Sequence, residues 1–300
     1  MPEGDTVRRT AARLDQALAG STLVRAELRW ADLGAIDLAG RAVLGVGAYG
    51  KHLLTRLAAG NHRPAQTLHS HLRMDGSWRI HATGTRPWPA ATDHRVRAVL
   101  AGPEWTAVGV LLGVLELVPT EAEERIIGHL GPDIMADGWD SGRSEAVRRI
   151  STRPERHVGA ALLDQTNVAG IGTFYLAEAL FVQRVSPWAA AGSVDLPAVL
   201  DTARRQLLVS IRHAVPTTTG ETARGRTSYV HGRSGRPCRR CGGTIRVAPV
   251  GEPPMDRTAF YCPHCQPGAA PTDAGRPMRP LGSSPPRALT PRGSYRRESR

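Results

Sequence analysis

Four cysteines near the end of the sequence constrain this chain more than any other feature. They are Cys238, Cys241, Cys262 and Cys265, two C-x2-C knuckles separated by twenty residues. That spacing suits a closed, tetrahedral, all-thiolate zinc site. No cysteine is left over, and a reducing cytoplasm makes a disulfide reading poor. A closed site of this kind braces structure and does not itself catalyse. What it braces reads as a hairpin, with strands over 244–249 and 258–261. Arg257 stands at the base of the second strand, while Arg233, Arg236, Arg239 and Arg240 crowd the first knuckle. Zinc ribbons serve DNA, RNA and protein contacts alike, and a solvated basic face is the plain alternative. The element alone does not choose a partner.

Charge narrows that choice. The formal net charge is +12, which favours a polyanionic partner: nucleic acid, an acidic membrane surface or an acidic protein. Residues 267–300 carry seven Arg against Asp273 and Glu298, so part of the excess lies in that segment and the remainder is still basic. No apolar run is long enough to span a bilayer. The opening MPEGDTVRRT lacks the apolar stretch of a secretory signal, so a cytoplasmic, nucleoid-associated protein is expected. One detail of the composition stands apart: of 39 Lys plus Arg, only Lys51 is a lysine. Arginine cannot release its proton at neutral pH, so a lone lysine hints that an amine is needed there. Chance survival of one lysine is the alternative.

Periodicity divides the chain. Residues 6–19 read as a helix, with Val7, Ala11, Leu14 and Leu18 on one stripe, Asp5 or Thr6 as cap, and Gly20 at the end. Arg8, Arg9 and Arg13 lie off that stripe. Short alternating stretches follow at 24–30, 43–46, 52–57, 68–74, 78–81, 96–100 and 105–118, punctuated by Gly and Pro, as in an antiparallel sandwich or barrel. Helical patterns then take over at 121–130, 144–150, 155–164, 173–182 and 196–214. Residues 216–228 read as a basic, Gly-rich loop. The expected domains are a β-sandwich at 2–120, a helical domain at 121–228, the cysteine element at 229–266, and a disordered tail at 267–300. His52, His69, His71 and His94 match no compact ligand spacing and are expected to be structural or solvent-facing.

The amino terminus offers chemistry. Loss of the initiator Met would expose the secondary amine of Pro2, which can attack a sugar aldehyde carbon and form a cationic iminium. The positive end of the helix behind it lowers its basicity. Glu3 could donate a proton to a sugar oxygen and later accept one. Taken alone, these two residues are better read as a plain helix start.

The combination is more specific. Pro2-Glu3-Gly4, Tyr49-Gly50-Lys51, the stretch Leu163-Asp164-Gln165-Thr166-Asn167-Val168-Ala169-Gly170-Ile171-Gly172, and the four cysteines occur in one order. That order resembles the formamidopyrimidine-DNA glycosylase and endonuclease VIII family, closer to the endonuclease VIII branch, over residues 2 to about 266. The resemblance implies a multidomain α+β fold: a β-sandwich with an N-terminal helix, a helix-two-turn-helix domain and a four-cysteine zinc finger. It implies a monomer that removes oxidised, mainly pyrimidine, bases from DNA and then cuts the strand by β- or β,δ-elimination. Pro2 would be the Schiff-base nucleophile at C1′ and Glu3 the general acid. Lys51 would sit near the lesion, and Arg257, in Arg257-Thr258-Ala259-Phe260-Tyr261-Cys262, would clamp the flanking phosphates. Met74, in His71-Leu72-Arg73-Met74-Asp75-Gly76, would fill the gap left by the extruded base, with core packing as its alternative. Gln165, Gly170, Gly172, Thr173 and Arg233 would contact DNA, the glycines by letting a phosphate approach a helix start.

Three positions depart from the family pattern. Thr6 stands where a second acidic residue is usual, with Asp5 one place off. Thr173 replaces an Asn at the helix start, and His231 replaces a Tyr. They keep open a non-catalytic paralogue that binds damaged or abasic DNA, and the cysteine element keeps open a zinc-ribbon module for RNA or protein. No single residue in 108–115 stands out as a second inserting side chain.

Overall fold

The computed structural model describes residues 2–60 and 63–271. Most of the segment expected to be a disordered tail therefore lies outside the described residues.

Helix α1 (Gly4–Leu18) buries Val7, Ala11, Leu14 and Leu18, the stripe that the spacing predicts. It starts two residues earlier than the sequence suggests. Glu3 occupies the cap position with no side-chain cap bond, because its carboxylate is engaged elsewhere. Eight strands follow in two antiparallel four-stranded sheets. One has the order β1 (Arg25–Leu28), β6 (Val96–Ala101), β7 (Trp105–Val110), β5 (Ser77–Ala82); the other is β2 (Val43–Tyr49), β3 (His52–Leu57), β4 (Gln66–His71), β8 (Val114–Pro119). Leu53, Leu57, Leu68, Leu100 and Leu115 meet the stripe of α1 in one core, so the helix and both sheets bury their apolar faces together.

The stretch 105–118 is a correction. It is not one strand but two, β7 and β8, in different sheets. The chain turns between them at Leu111, whose φ is 51°, and at Gly113, where a Cβ would come within 2.4 Å of Arg73 Cγ. Alternation on either side of this corner hides it from a periodicity reading. The segment 121–130 is likewise a short 3-10 turn (Thr120–Ala122) and one turn of helix, α2 (Glu124–Ile127), rather than a full helix.

Four further helices are α3 (Trp139–Ile150), α4 (Val158–Leu163), α5 (Thr173–Val182) and α6 (Leu196–Ser210). In α5 every residue from Tyr175 to Phe181 is buried, the mark of a helix enclosed on all sides. It packs on the hairpin of β9 (Arg246–Val250) and β10 (Arg257–Tyr261). Cys238, Cys262, Ile245, Ala248 and Ala259 share one core with these helices. The cysteine element is thus continuous with the helical part, and Trp188 joins them by donating Nε1–H to the Pro249 carbonyl at 2.9 Å.

Two of the arginines off the stripe of α1, Arg8 and Arg9, face the helical part. Arg8 donates to the Met135 carbonyl at 2.7 Å and Arg9 to that of His213. Tyr49 reaches the Gly131 carbonyl at 3.0 Å. Among the described residues no helix is long and apolar enough to cross a membrane.

Candidate active site

Glu3, at the start of α1, is only 3% exposed, and its carboxylate lies over the start of α5. It accepts N–H bonds from Gly172 at 2.9 Å, Phe174 at 2.8 Å and Tyr175 at 3.4 Å. The first turn of a helix has free N–H groups and a positive dipole end, which is where an acid side chain is best held. The approach is possible because residue 172 is glycine: a Cβ there would sit 2.3 Å from Glu3 Cδ. Burial raises the pKa of this carboxyl, against the opposing pull of Lys51 and of the helix amides. The group therefore holds its proton to higher pH than an ordinary glutamate.

Lys51 stands in the tight turn between β2 and β3. Gly50 precedes it with φ +55°, and a Cβ at Gly50 would meet that of Ala169 at 2.7 Å. Lys51 Nζ donates to the Ile171 carbonyl at 2.6 Å. Burial lowers its pKa; Glu3 opposes the shift and Arg257 adds to it. A carboxyl, an amine and a helix N-terminus from three distant parts of the chain thus converge.

The loop between α4 and α5 carries this convergence, and Gln165 organises it. Its Nε2 donates to the carbonyls of Leu163 and Ile171, both at 2.9 Å, and its Oε1 accepts from Gly170 N–H at 3.0 Å. The amide of Gln165 is therefore engaged inside the protein. Gly170, at φ +109°, returns the chain so that its carbonyl accepts from Gly4 N–H at 3.0 Å. Pro2, half-buried, immediately precedes Glu3.

A cavity of about 160 Å³ opens beside the carboxyl, lined by Glu3, Asp5, Thr6, Thr173, Phe174, Tyr175, Pro216 and His231. All three departures from the family pattern lie on this wall. Asp5 is engaged in support: its carboxylate accepts from Ser210 Oγ at 2.8 Å. His231 packs edge-on to Phe174 and Phe260. Burial takes its pKa down to about 4, so it meets the cavity as a neutral ring.

Met74 is 62% exposed, in the turn between β4 and β5, which rules out core packing. Leu111, 40% exposed, lies at the neighbouring corner. The sequence reading missed it, and the only signal was Leu111-Leu112-Gly113 interrupting the alternation. Arg257 is exposed at the first position of β10, close enough to act electrostatically on Lys51. Arg233 is engaged internally, on the carbonyls of Tyr229 and Pro237 at 2.8 and 3.0 Å.

His52, His69 and His71 come together, which their spacing did not show. His52 Nδ1 lies 2.9 Å from His69 Nε2, and His69 Nδ1 lies 3.2 Å from Glu116. Burial holds the pKa of His52 at about 3 and that of His71 at about 4. His71 Nδ1 accepts from Arg73 N–H at 3.0 Å, which ties the cluster to the turn that carries Met74.

The four cysteine sulfurs all lie within 4.8 Å of one another and can hold a metal ion. Two of the separations are 3.9 Å, Cys238 to Cys265, and 3.5 Å, Cys241 to Cys262. A tetrahedron of sulfurs at ~2.3 Å from a central zinc has edges of about 3.8 Å, so the donor set and its spacing fit.

Comparison with known proteins agrees with this architecture. Residues 1–108 match the formamidopyrimidine-DNA glycosylase N-terminal domain, and residues 130–223 match the formamidopyrimidine-DNA glycosylase H2TH domain. The chain is 45% identical over 279 residues to a "Probable endonuclease 8 2" of Streptomyces coelicolor, covering 92% of this chain and 98% of that protein. It is 39% identical over 267 residues to "DNA-(apurinic or apyrimidinic site) lyase Nei2" of Mycolicibacterium smegmatis, covering 89% and 99%. Among solved structures, a Lactococcus lactis formamidopyrimidine-DNA glycosylase bound to DNA with an abasic site superposes with a TM-score of 0.70 at 20% identity, over 89% of this chain and all of that one. The chain belongs to the formamidopyrimidine-DNA glycosylase family, among relatives named endonuclease 8.

Proposed function

We propose that the protein is a bifunctional DNA glycosylase and abasic-site lyase of base excision repair, acting on oxidised, mainly pyrimidine, bases. One observation carries the reading: a buried carboxyl of raised pKa, Glu3, directly follows Pro2 and lies beside Lys51 at a helix N-terminus. This arrangement suits attack by an amine on a sugar carbon with a proton donor at hand. The relatives' names and the net charge of +12 support DNA as the substrate.

In this reading the damaged base leaves the stack and enters the cavity beside Glu3. Extrusion costs a few kcal/mol and is easiest for damaged bases. Met74, with Leu111 beside it, fills the space left in the duplex. The Pro2 nitrogen, freed of Met1, bonds to C1′ as the base departs. Glu3 protonates the ring oxygen, which leaves C1′ and opens the sugar to the iminium. The iminium makes the C2′ proton acidic, and its loss expels the 3′ phosphate. Lys51 and Arg257 bring positive charge to the flanking phosphates. Gly170 and Gly172, whose own N–H groups are held by Gln165 and Glu3, let a phosphate come close to the helix start, which Thr173 opens. Gln165 and Arg233 serve by holding the loops from which these contacts are made. One structural zinc ion on Cys238, Cys241, Cys262 and Cys265 would fix the hairpin that presents Arg257. The division into 2–120, 121–228 and 229–266 belongs to the same reading, as does action as a monomer.

The test is strand cleavage of matched duplexes carrying an oxidised pyrimidine, an oxidised purine or a preformed abasic site. The reading expects release of the pyrimidine lesion and a β- or β,δ-cleaved strand. Tight, salt-sensitive binding with no cleavage of any duplex would contradict it and leave a non-catalytic damage-binding protein.

A further inference from the structure

The loop 216–228 joins α6 to the cysteine element, and the cavity wall includes Pro216 at its start and His231 just past its end. The loop is closed on itself. Thr218 N–H donates to the Thr227 carbonyl at 2.9 Å, Thr217 Oγ1 to that of Glu221 at 2.7 Å, and Thr219 Oγ1 to that of Arg226 at 2.7 Å. A loop so closed keeps its shape, but its place against the cavity depends on anchors outside it. Two anchors hold the near end. Thr217 N–H donates to Ser210 Oγ at 3.1 Å, and Thr218 Oγ1 donates to the buried Glu178 carboxylate. Just past the far end, the same Glu178 carboxylate accepts from the N–H groups of Tyr229, Val230 and His231 at 2.7, 2.8 and 2.9 Å. Between these fixed points, among the described residues, one side chain from outside the loop holds the stretch 219–228. Arg239 donates through Nη1 to the Arg226 carbonyl at 3.1 Å and through Nη2 to that of Gly225 at 2.5 Å. Arg239 lies between Cys238 and Cys241, so the base of this clamp is the four-thiolate site.

We propose that Arg239 is a positioning residue for base recognition, coupling the cysteine site to the wall of the cavity through the far end of the 216–228 loop. The proposal rests on the reading of that cavity as the pocket for the extruded base. A planar guanidinium with two N–H groups on adjacent carbonyls fixes orientation as well as distance, whereas an ammonium is a point charge without that fork. An abasic site brings no base to this wall. The lyase step on a preformed abasic site therefore needs Pro2 and Glu3 but not the loop, and the two activities should come apart when the clamp is cut.

The experiment uses the full-length, metal-loaded protein and its R239A and R239K variants, each checked for metal content. Three quantities are read: single-turnover excision of an oxidised pyrimidine, cleavage of a preformed abasic duplex, and trypsin cutting after Arg224 and Arg226, mapped by mass spectrometry. R239A is expected to lower excision about tenfold while abasic cleavage stays within about twofold. Trypsin should cut faster at both arginines, and R239K should lie between R239A and wild type. Equal losses in both activities, or excision unchanged, would overturn the proposal. Wild-type protein that cleaves neither duplex would instead count against the functional reading. The trypsin pattern would then decide the clamp alone, with unchanged cutting in R239A overturning it.

Discussion

Around Glu3 the polar groups meet fixed partners: three backbone amides on the carboxylate, the Ile171 carbonyl on Lys51, and the loop's own backbone on Gln165. Around Met74 and Leu111 the opposite holds. Two apolar side chains, 62% and 40% exposed, stand at turns with much of their surface open. The first region is arranged before any ligand arrives, as chemistry requires, since a misplaced acid or nucleophile costs rate steeply. The second has apolar surface to bury only when something flat and apolar, such as a base pair, comes against it. Changes in the first should therefore damage reaction and folding together. Changes in the second should affect DNA handling and leave the fold alone.

Glu3→Gln is the strongest way to break this contrast. It removes the proton donor and turns an amide N–H2 toward helix amides, and excision should fall by roughly 10³-fold. Single-turnover assays with equal DNA loading would measure it. The linked pH effect has a definite sign. The folded-state pKa of Glu3 lies above 4.5, so its protonated form stabilises the fold at low pH, and that contribution is lost as pH rises through the folded value. The difference in Tm between wild type and Glu3→Gln, followed upward from pH 4, should move against the wild type. A flat difference would mean the carboxyl is not held as described.

Gly172→Ala comes next. Its Cβ would lie 2.3 Å from Glu3 Cδ, so the carboxyl must move off the helix start. Excision should fall about a hundredfold, with a loss of about 1–3 kcal/mol in stability from overpacking, readable by denaturant unfolding. Met74→Ala and Leu111→Ala should each lower excision about tenfold while changing stability by no more than about 0.5 kcal/mol. Their double mutant should be less than additive if both fill one gap. A clear loss of stability in either single variant would erase the contrast between the two regions. The smallest expected effect is removal of residues 272–300, which should weaken DNA binding a few-fold at low salt and very little at high salt.

What the sequence made legible follows from the range of each signal. The cysteine site, α5 and the turn at Gly170 are written in spacings of a few residues, and the helix 173–182 falls where the pattern puts it. The convergence of Pro2-Glu3, Lys51 and 163–172 came from the resemblance; no local pattern joins segments so far apart. Other features depend on register or on side-chain direction and were hidden. The corner at Leu111 lies between two alternating stretches, marked only by the short break Leu111-Leu112-Gly113. The cluster of His52, His69 and His71 exists only because β3 pairs with β4 so that His52 faces His71. Arg233, Arg239 and Arg240 looked like a solvated basic face, yet each donates to a backbone carbonyl within the protein. Composition counts charges and does not say where they point.

The most direct test of the central claim is borohydride trapping on an abasic or oxidised-pyrimidine duplex, with the cross-linked peptide located by mass spectrometry. The account predicts a covalent adduct on the nitrogen of Pro2 in protein that has lost Met1, absent in Pro2→Gly or after blocking of the terminus. An adduct on Lys51, or none while DNA is still bound, would contradict it.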